Sequence, residues 1–186
     1  MKLAVILGSI REGRVSPVVG ERILEEGRKQ HPDVTFNLID LKDYHLPHMT
    51  KRLASYDGSE PEYDDLMALQ KELDDADGYI FVVQEYNHGL SAVLKNVFEY
   101  YYTEFNNKAA GIVSYGIDGG VRAAEQVRTI AAELRIADVR THVTMNIMSE
   151  FDKEGAFIPQ SYNIRRMHTQ MKEVIEWSDA LKHLRK

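Results

Sequence analysis

Between Gly8 and Ser16 the chain reads GSIREGRVS, which places hydroxyls at Ser9 and Ser16 and guanidinium groups at Arg11 and Arg14 within one short stretch. Hydroxyls donate to anionic oxygens, guanidinium groups add charge-assisted bonds, and the free N–H groups of a helix start attract an anion. Ser16 followed by Pro17 is such a start, with the hydroxyl expected as the N-cap and the ring at the first helical position. The chemistry these residues suit is phosphate binding. A triphosphate loop is excluded, because GxxxxGK[ST] needs a Lys-Ser/Thr pair that is missing here. A dinucleotide fingerprint is excluded as well, because Ile10 sits where the second glycine of GxGxxG should be. A monophosphate held by side chains and loop amides fits, and a mononucleotide such as FMN is the leading candidate.

The elements that must position this loop follow from the apolar pattern. Leu3, Val5, Ile6 and Leu7 form a short apolar run, as expected of a strand buried on both faces of a parallel sheet. Val15, Val18, Val19, Ile23 and Leu24 then recur at helical spacing up to about Lys29, and Val34 to Leu41 reads as a second strand. A long irregular stretch from Leu41 to Ser59 follows, and loops of that length are usually functional or mobile. Ser59 and Glu62 have capping-box spacing ahead of a helix carrying Leu66, Leu69 and Leu73. Gly78–Val83, Ala109–Ser114 and Val139–Thr144 read as strands three to five. Helices are expected from near Ser91, from Val121 to Leu134 and from Ile164 to Leu181. Five strands alternating with five helices predict an α/β, flavodoxin-like three-layer sandwich with a parallel sheet in the order 2-1-3-4-5, spanning residues 1–186 as a single domain.

Ligands of such sheets bind at the carboxyl ends of the strands, by the switch point between strands one and three. Strand three ends in Gln84, Glu85, Tyr86, Asn87, His88 and Gly89, and strand four in Ser114, Tyr115 and Gly116 with Gly119 and Gly120 beyond. The topology gathers these loops beside the phosphate loop. A flavin ring needs hydrogen bonds along its pyrimidine edge and apolar or aromatic cover on its faces. Backbone amides, the Asn87 amide, the Tyr86 ring and the small residues of the SYG segment meet that need. Taken singly, Tyr86 is an ordinary loop aromatic, Asn87 a turn or N-cap residue, His88 a surface residue and Ser114 a strand-end hydroxyl; their joint placement argues for a site.

The segments GSIREGRVS (8–16), QEYNHGLSAVLKN (84–96) and KAAGIVSYG (108–116) with Gly119-Gly120 resemble, in order and spacing, the NADPH-dependent FMN reductase family. The resemblance implies one non-covalent FMN per subunit, NAD(P)H as co-substrate and a quinone, free flavin or similar small molecule as electron acceptor. It also implies a homodimer or dimer of dimers. Ser9, Arg11, Arg14, Val15 and Ser16 would hold the FMN phosphate, with Arg11 a firmer assignment than Arg14. Gln84, Glu85, Tyr86 and Asn87 would border the ring, and Ser114, Tyr115 and Gly116 would flank its other side. The flavin carries the chemistry, so no side chain has to be a strong acid or base; His88 and Tyr86 are the candidates for orienting substrate. Three positions depart from the family pattern: Gln84 replaces its proline, the stretch before the LKN lacks another, and Phe105 stands for a tryptophan.

The remaining composition narrows the alternatives. At 186 residues the chain has room for a core, and its net charge of −6 argues against nucleic acid as a partner, which would call for a basic surface. It has no cysteine, which removes disulfides, thiolate metal sites and cysteine nucleophiles. His45 and His48 lack a third ligand nearby, so no metal site is expected. No apolar run approaches the roughly 18 residues needed to span a bilayer, and no leader pattern is present, so a cytoplasmic protein without a membrane partner is expected. The competing class is a flavin-binding electron carrier or redox sensor without turnover, against which Arg11 and Arg14 speak. A phosphoacceptor domain on a similar sheet is rejected, since it needs aspartates where Gly8-Ser9 and Gln84-Glu85 stand. The run Phe98, Tyr100, Tyr101, Tyr102 and Phe105 predicts more aromatic surface than one core face takes, to be covered by a second subunit or by the 41–59 loop.

Overall fold

Successive side chains of a strand point to opposite faces, so a strand covered on both sides must be apolar throughout. In a computed structural model describing residues 1–185, the KLAVIL run forms β1 (Lys2–Leu7) at the middle of the sheet. Around it lie β2 (Thr35–Asp40), β3 (Gly78–Gln84), β4 (Ala109–Gly116) and β5 (Ala137–Asn146), all parallel, in the order β2-β1-β3-β4-β5. This is the flavodoxin-like order expected from the sequence. Leu3, Val5 and Leu7 pack with α1 (Ser16–Gln30) and α5 (Ser161–Leu181) on one face. Ala4 and Ile6 pack on the other with α2 (Tyr63–Asp75), α3 (Ala92–Tyr100) and α4 (Val121–Glu133).

Two expected helix starts are built differently. The first intrahelical bond of α1 runs from Val19 N to Val15 O, so Val15 is the N-cap and Ser16 the first helical residue, with its hydroxyl free of any capping role. The spacing of Ser59 and Glu62 does not form a capping box. Ser59 is held instead by its amide donating to Asp57 Oδ1 at 3.0 Å, and α2 begins after a turn closed from Tyr63 N to Glu60 O. Ser91 does cap α3, accepting from the amide of Leu94 at 3.3 Å.

The aromatic run at the end of α3 finds its cover within the same chain. Phe98, Tyr100, Tyr101 and Phe105 are all buried, and only Tyr102, at 47% exposure, faces solvent. The 41–59 loop folds over them: Tyr56 and Tyr100 join hydroxyls at 3.1 Å, and Tyr100 donates to Pro47 O at 3.1 Å. Asn96 fastens the loop by donating to Pro47 O at 2.8 Å and accepting from Met49 N at 3.0 Å. The aromatics therefore leave no surplus that calls for a second subunit. Lys108, which leads β4, lies at the amino ends of the strands, away from the loops at their carboxyl ends, and donates to the α2 carbonyls of Leu73 and Asp74 at 2.7 and 3.0 Å.

The contact between α1 and α5 carries a pH dependence. Glu26 is buried and meets His168 Nε2 at 2.6 Å. That hydrogen bond and the charges of His168, Lys29 and Arg22 outweigh burial and hold the carboxyl below its ordinary value. A carboxylate whose folded pKa is depressed adds stability that is complete above its unfolded pKa and vanishes as the pH falls through the folded one. Urea midpoints measured from pH 7 down to pH 3 should fall more steeply for the wild type than for Glu26→Gln.

Candidate functional site

The turn after β1 is held by backbone geometry before any side chain is considered. Gly8 N donates to Val82 O at 3.0 Å, and Gly8 O accepts from Ser91 Oγ at 2.7 Å and from the Gln84 side-chain amide. Gln84 is thus a buried tie between the β1 and β3 loops, with its Oε1 left unpartnered. Arg14 is committed elsewhere: its guanidinium pairs with both Asp40 oxygens, at 2.8 and 2.5 Å, and also donates to Ser9 O. Asp40 is within reach because it ends β2 in register with Leu7. Arg11 is exposed, lies over the Tyr86 ring at 5.5 Å, and has no acidic partner among the described residues.

Buried hydroxyls gather beneath this loop. Ser9 is fully buried and shares a 2.7 Å hydrogen bond with Tyr86 Oη. Ser16 Oγ and Tyr115 Oη lie near one another, are buried and make no well-formed hydrogen bond among the described residues. Burial pushes the Tyr115 phenol well above its usual range, and the neighbouring Tyr86 adds to this; nearby Ser16, Ser9 and Arg14 only partly offset it. A buried polar atom without a partner costs about 1–3 kcal/mol, which a bound anion with several acceptor oxygens would relieve. The Ser9–Ser16 loop therefore fits the phosphate of a mononucleotide.

The turn after β3 is a tight reversal. Tyr86 and Gly89 exchange backbone bonds at 3.0 and 3.1 Å, and the two central residues, Asn87 and His88, have φ of 50° and 68°. Both positive φ values mark a type I′ geometry, for which Asn is favoured, and both side chains are exposed. Glu85 points the other way. Its carboxylate accepts from Arg122 N at 3.0 Å and pairs with Arg122 Nη1 at 2.7 Å at the start of α4. Burial raises its pKa, but the Arg122 side chain and amide and the Ala123 amide prevail, so the carboxyl sits below its ordinary value.

Ser114 faces away from the groove, towards α4. It donates to Gly119 O at 2.5 Å and lies 2.8 Å from His142 Nε2. With the serine proton spent on Gly119, Nε2 must carry the hydrogen on the neutral ring. Burial, then the charges of Arg128 and Arg166, lower the His142 pKa to about 4, which keeps the ring uncharged at neutral pH. The relay ties the end of β4 to the Gly116–Gly120 turn and to β5. So Ser9, Arg11, Ser16, Tyr86 and Tyr115 converge, Val15 and Gly116 contribute backbone, and Arg14, Gln84, Glu85 and Ser114 brace the loops. Sequence reading missed Asp40, Arg122 and His142, although an acidic residue ending the strand next to β1 was a usable signal.

A family profile described as NADPH-dependent FMN reductase matches residues 1–149. The chain belongs to the NADPH-dependent FMN reductase family. It is an NAD(P)H-dependent flavin oxidoreductase, with FMN as cofactor and NAD(P)H as co-substrate. Among its relatives is an NAD(P)H-dependent FMN reductase of Schizosaccharomyces pombe, 31% identical over 161 residues, covering 85% of this chain and 79% of that one. The fold matches the Paracoccus denitrificans flavoenzyme FerB, an NAD(P)H:(acceptor) oxidoreductase, with a TM-score of 0.75 at 14% identity over 96% of this chain and 97% of that one. It also matches an NAD(P)H:quinone oxidoreductase of Methanothermobacter marburgensis, with a TM-score of 0.64 at 16% identity over 92% and 98%. No helix among the described residues is long and apolar enough to cross a membrane.

Proposed function

We propose that the groove at the carboxyl ends of β1, β3 and β4 is the FMN site of this reductase, with the phosphate on the Ser9–Ser16 loop. The observation that carries the reading is the pair of unpartnered buried hydroxyls, Ser16 Oγ and Tyr115 Oη, at the N-terminus of α1 beside the unpaired Arg11. The Tyr86–Gly89 turn and the Gly116–Gly120 turn would hold the ring between them, with their backbone amides available to its polar edge. When bound, FMN supplies the two-electron chemistry that links NAD(P)H to a quinone or flavin acceptor. The protein's own part is to bind, orient and exclude water. Tyr86 anchors the loop through Ser9, and the exposed His88 stands where an incoming substrate would meet the turn.

This reading takes residues 1–186 as one domain acting in the cytoplasm, as a homodimer or dimer of dimers whose subunits meet near the flavin. The test is the visible spectrum of the purified protein before and after anaerobic addition of NADPH. Flavin bands that bleach are the expected result. Bands that persist with both NADPH and NADH would favour an electron carrier, and a colourless protein that cannot be reconstituted with FMN would overturn the site.

A further inference from the structure

We propose that the hairpin following β5 forms the outer wall of the phosphate site, and that Lys153 at its tip is a further ligand for the phosphomonoester of FMN. The inference rests on the site reading above and extends it to a segment beyond the stretch the family profile matches, which ends at residue 149.

The hairpin is built to hold its tip in place. Phe151 and Phe157 pair across it, with Asp152 N donating to Ala156 O at 3.0 Å and Ile158 N to Glu150 O at 2.8 Å. Its base is clamped by the buried Glu150, which accepts from Asn146 N at 3.0 Å and from Asn163 Nδ2 at 2.5 Å. Phe151 stacks on Phe157 at 5.1 Å and leans on Tyr115 at 6.5 Å, the residue whose hydroxyl is buried without a partner. The phosphate loop and the hairpin thus share one wall.

Between them lies a cavity of about 290 Å³, bounded by Arg11, Val15 and Tyr86 on one side, by Tyr115, and by Asp152 and Lys153 on the other. That space suits the phosphate end of a mononucleotide better than a whole flavin. Its charges are unevenly matched. Arg14 is neutralised by Asp40. Asp152 turns Oδ1 to the amides of Glu154 and Ala156, at 3.0 and 2.8 Å, which fixes the tip. Arg11 and Lys153 have no ion-pair partner among the described residues, and both line the cavity together with Tyr115. A dianionic phosphate placed there meets both cations, with Tyr115 in the wall between them.

The test compares dissociation constants for FMN and for riboflavin, which lacks the phosphate, by quenching of flavin fluorescence in apoprotein. Lys153→Ala should weaken FMN about fivefold and leave riboflavin unchanged, as expected for one partly exposed charged contact. Lys153→Glu should weaken it further, and Lys153→Arg should restore it. The dependence of FMN affinity on KCl should be shallower in Lys153→Ala than in the wild type, because one screened charge pair is gone. A preference for FMN over riboflavin unchanged by Lys153→Ala, while Arg11→Ala lowers that preference, would overturn the role of Lys153 and leave the phosphate site standing. A wild type that binds FMN no better than riboflavin would overturn both.

Discussion

Arg11→Ala will bind FMN at least about tenfold more weakly than the wild type yet unfold at the same urea concentration, whereas Arg14→Ala will lose stability first. The two arginines look alike in the sequence, and both stand in the phosphate loop. Arg11 lies over the face of Tyr86 and has no carboxylate partner among the described residues, so its charge contributes to the apoprotein only that weak, exposed contact. A charge-assisted contact to phosphate is worth roughly 1.5–3 kcal/mol, about 10- to 150-fold in affinity, with the lower end expected for an exposed side chain. Arg14 and Asp40 are 10% and 15% exposed, and their forked pair joins the β1 loop to the end of β2. Removing the guanidinium strands a largely buried carboxylate, a change that costs about 2–4 kcal/mol once partial exposure is allowed for. Urea unfolding of the apoproteins, set beside FMN titration of each, separates the two roles. Equal losses of stability in both variants would contradict the assignment.

That contrast also marks how far the sequence carries. The layered fold is legible because strands buried on both faces leave unbroken apolar runs, as KLAVIL and GYIFVV do, and because the crossover rules then leave few topologies. The gathering of the three loops follows from the same topology. What is not legible is which way a polar residue turns at a strand end. Ser114 and Tyr115 are neighbours, but the pleat sends the serine to His142 beneath α4 and the tyrosine to the phosphate loop. Arg14 is diverted by a residue 26 positions away, through the register of β1 on β2. The aromatic run looks excessive only until Asn96 fastens the 41–59 loop over it, a contact spanning nearly 50 residues with no local signature. The hairpin carrying Lys153 lacks apolar periodicity, and the contact that seats it on the site, Phe151 against Tyr115, joins residues 36 positions apart.

The other large effect expected is on stability, from one added methyl group at Gly120. This residue caps α4 with φ of 72°, a left-handed conformation that costs a residue with a Cβ about 1–2 kcal/mol. A Cβ there would also stand 2.7 Å from both Tyr115 N and Tyr115 O, and 3.0 Å from Ser114 Cβ. Those backbone atoms cannot move freely, because Tyr115 O accepts from Glu85 N at 3.0 Å and ties β4 to the ring-binding turn. Overpacking of this kind adds about 1–3 kcal/mol, so Gly120→Ala should destabilise the apoprotein by roughly 3 kcal/mol. Gly13 provides the control. It has a similar φ of 68°, but a Cβ there meets nothing within 4 Å, so Gly13→Ala should cost only the conformational part, about 1–2 kcal/mol. The same two variants report on the proposed site, in which the Gly120 turn would flank the ring and Gly13 stands in the Ser9–Ser16 loop. Gly120→Ala should weaken riboflavin as well as FMN, because displacing Tyr115 moves the backbone against which either ring must rest. If Gly120→Ala proves no less stable than Gly13→Ala, the close approach of α4 to the end of β4 is not what fixes this turn.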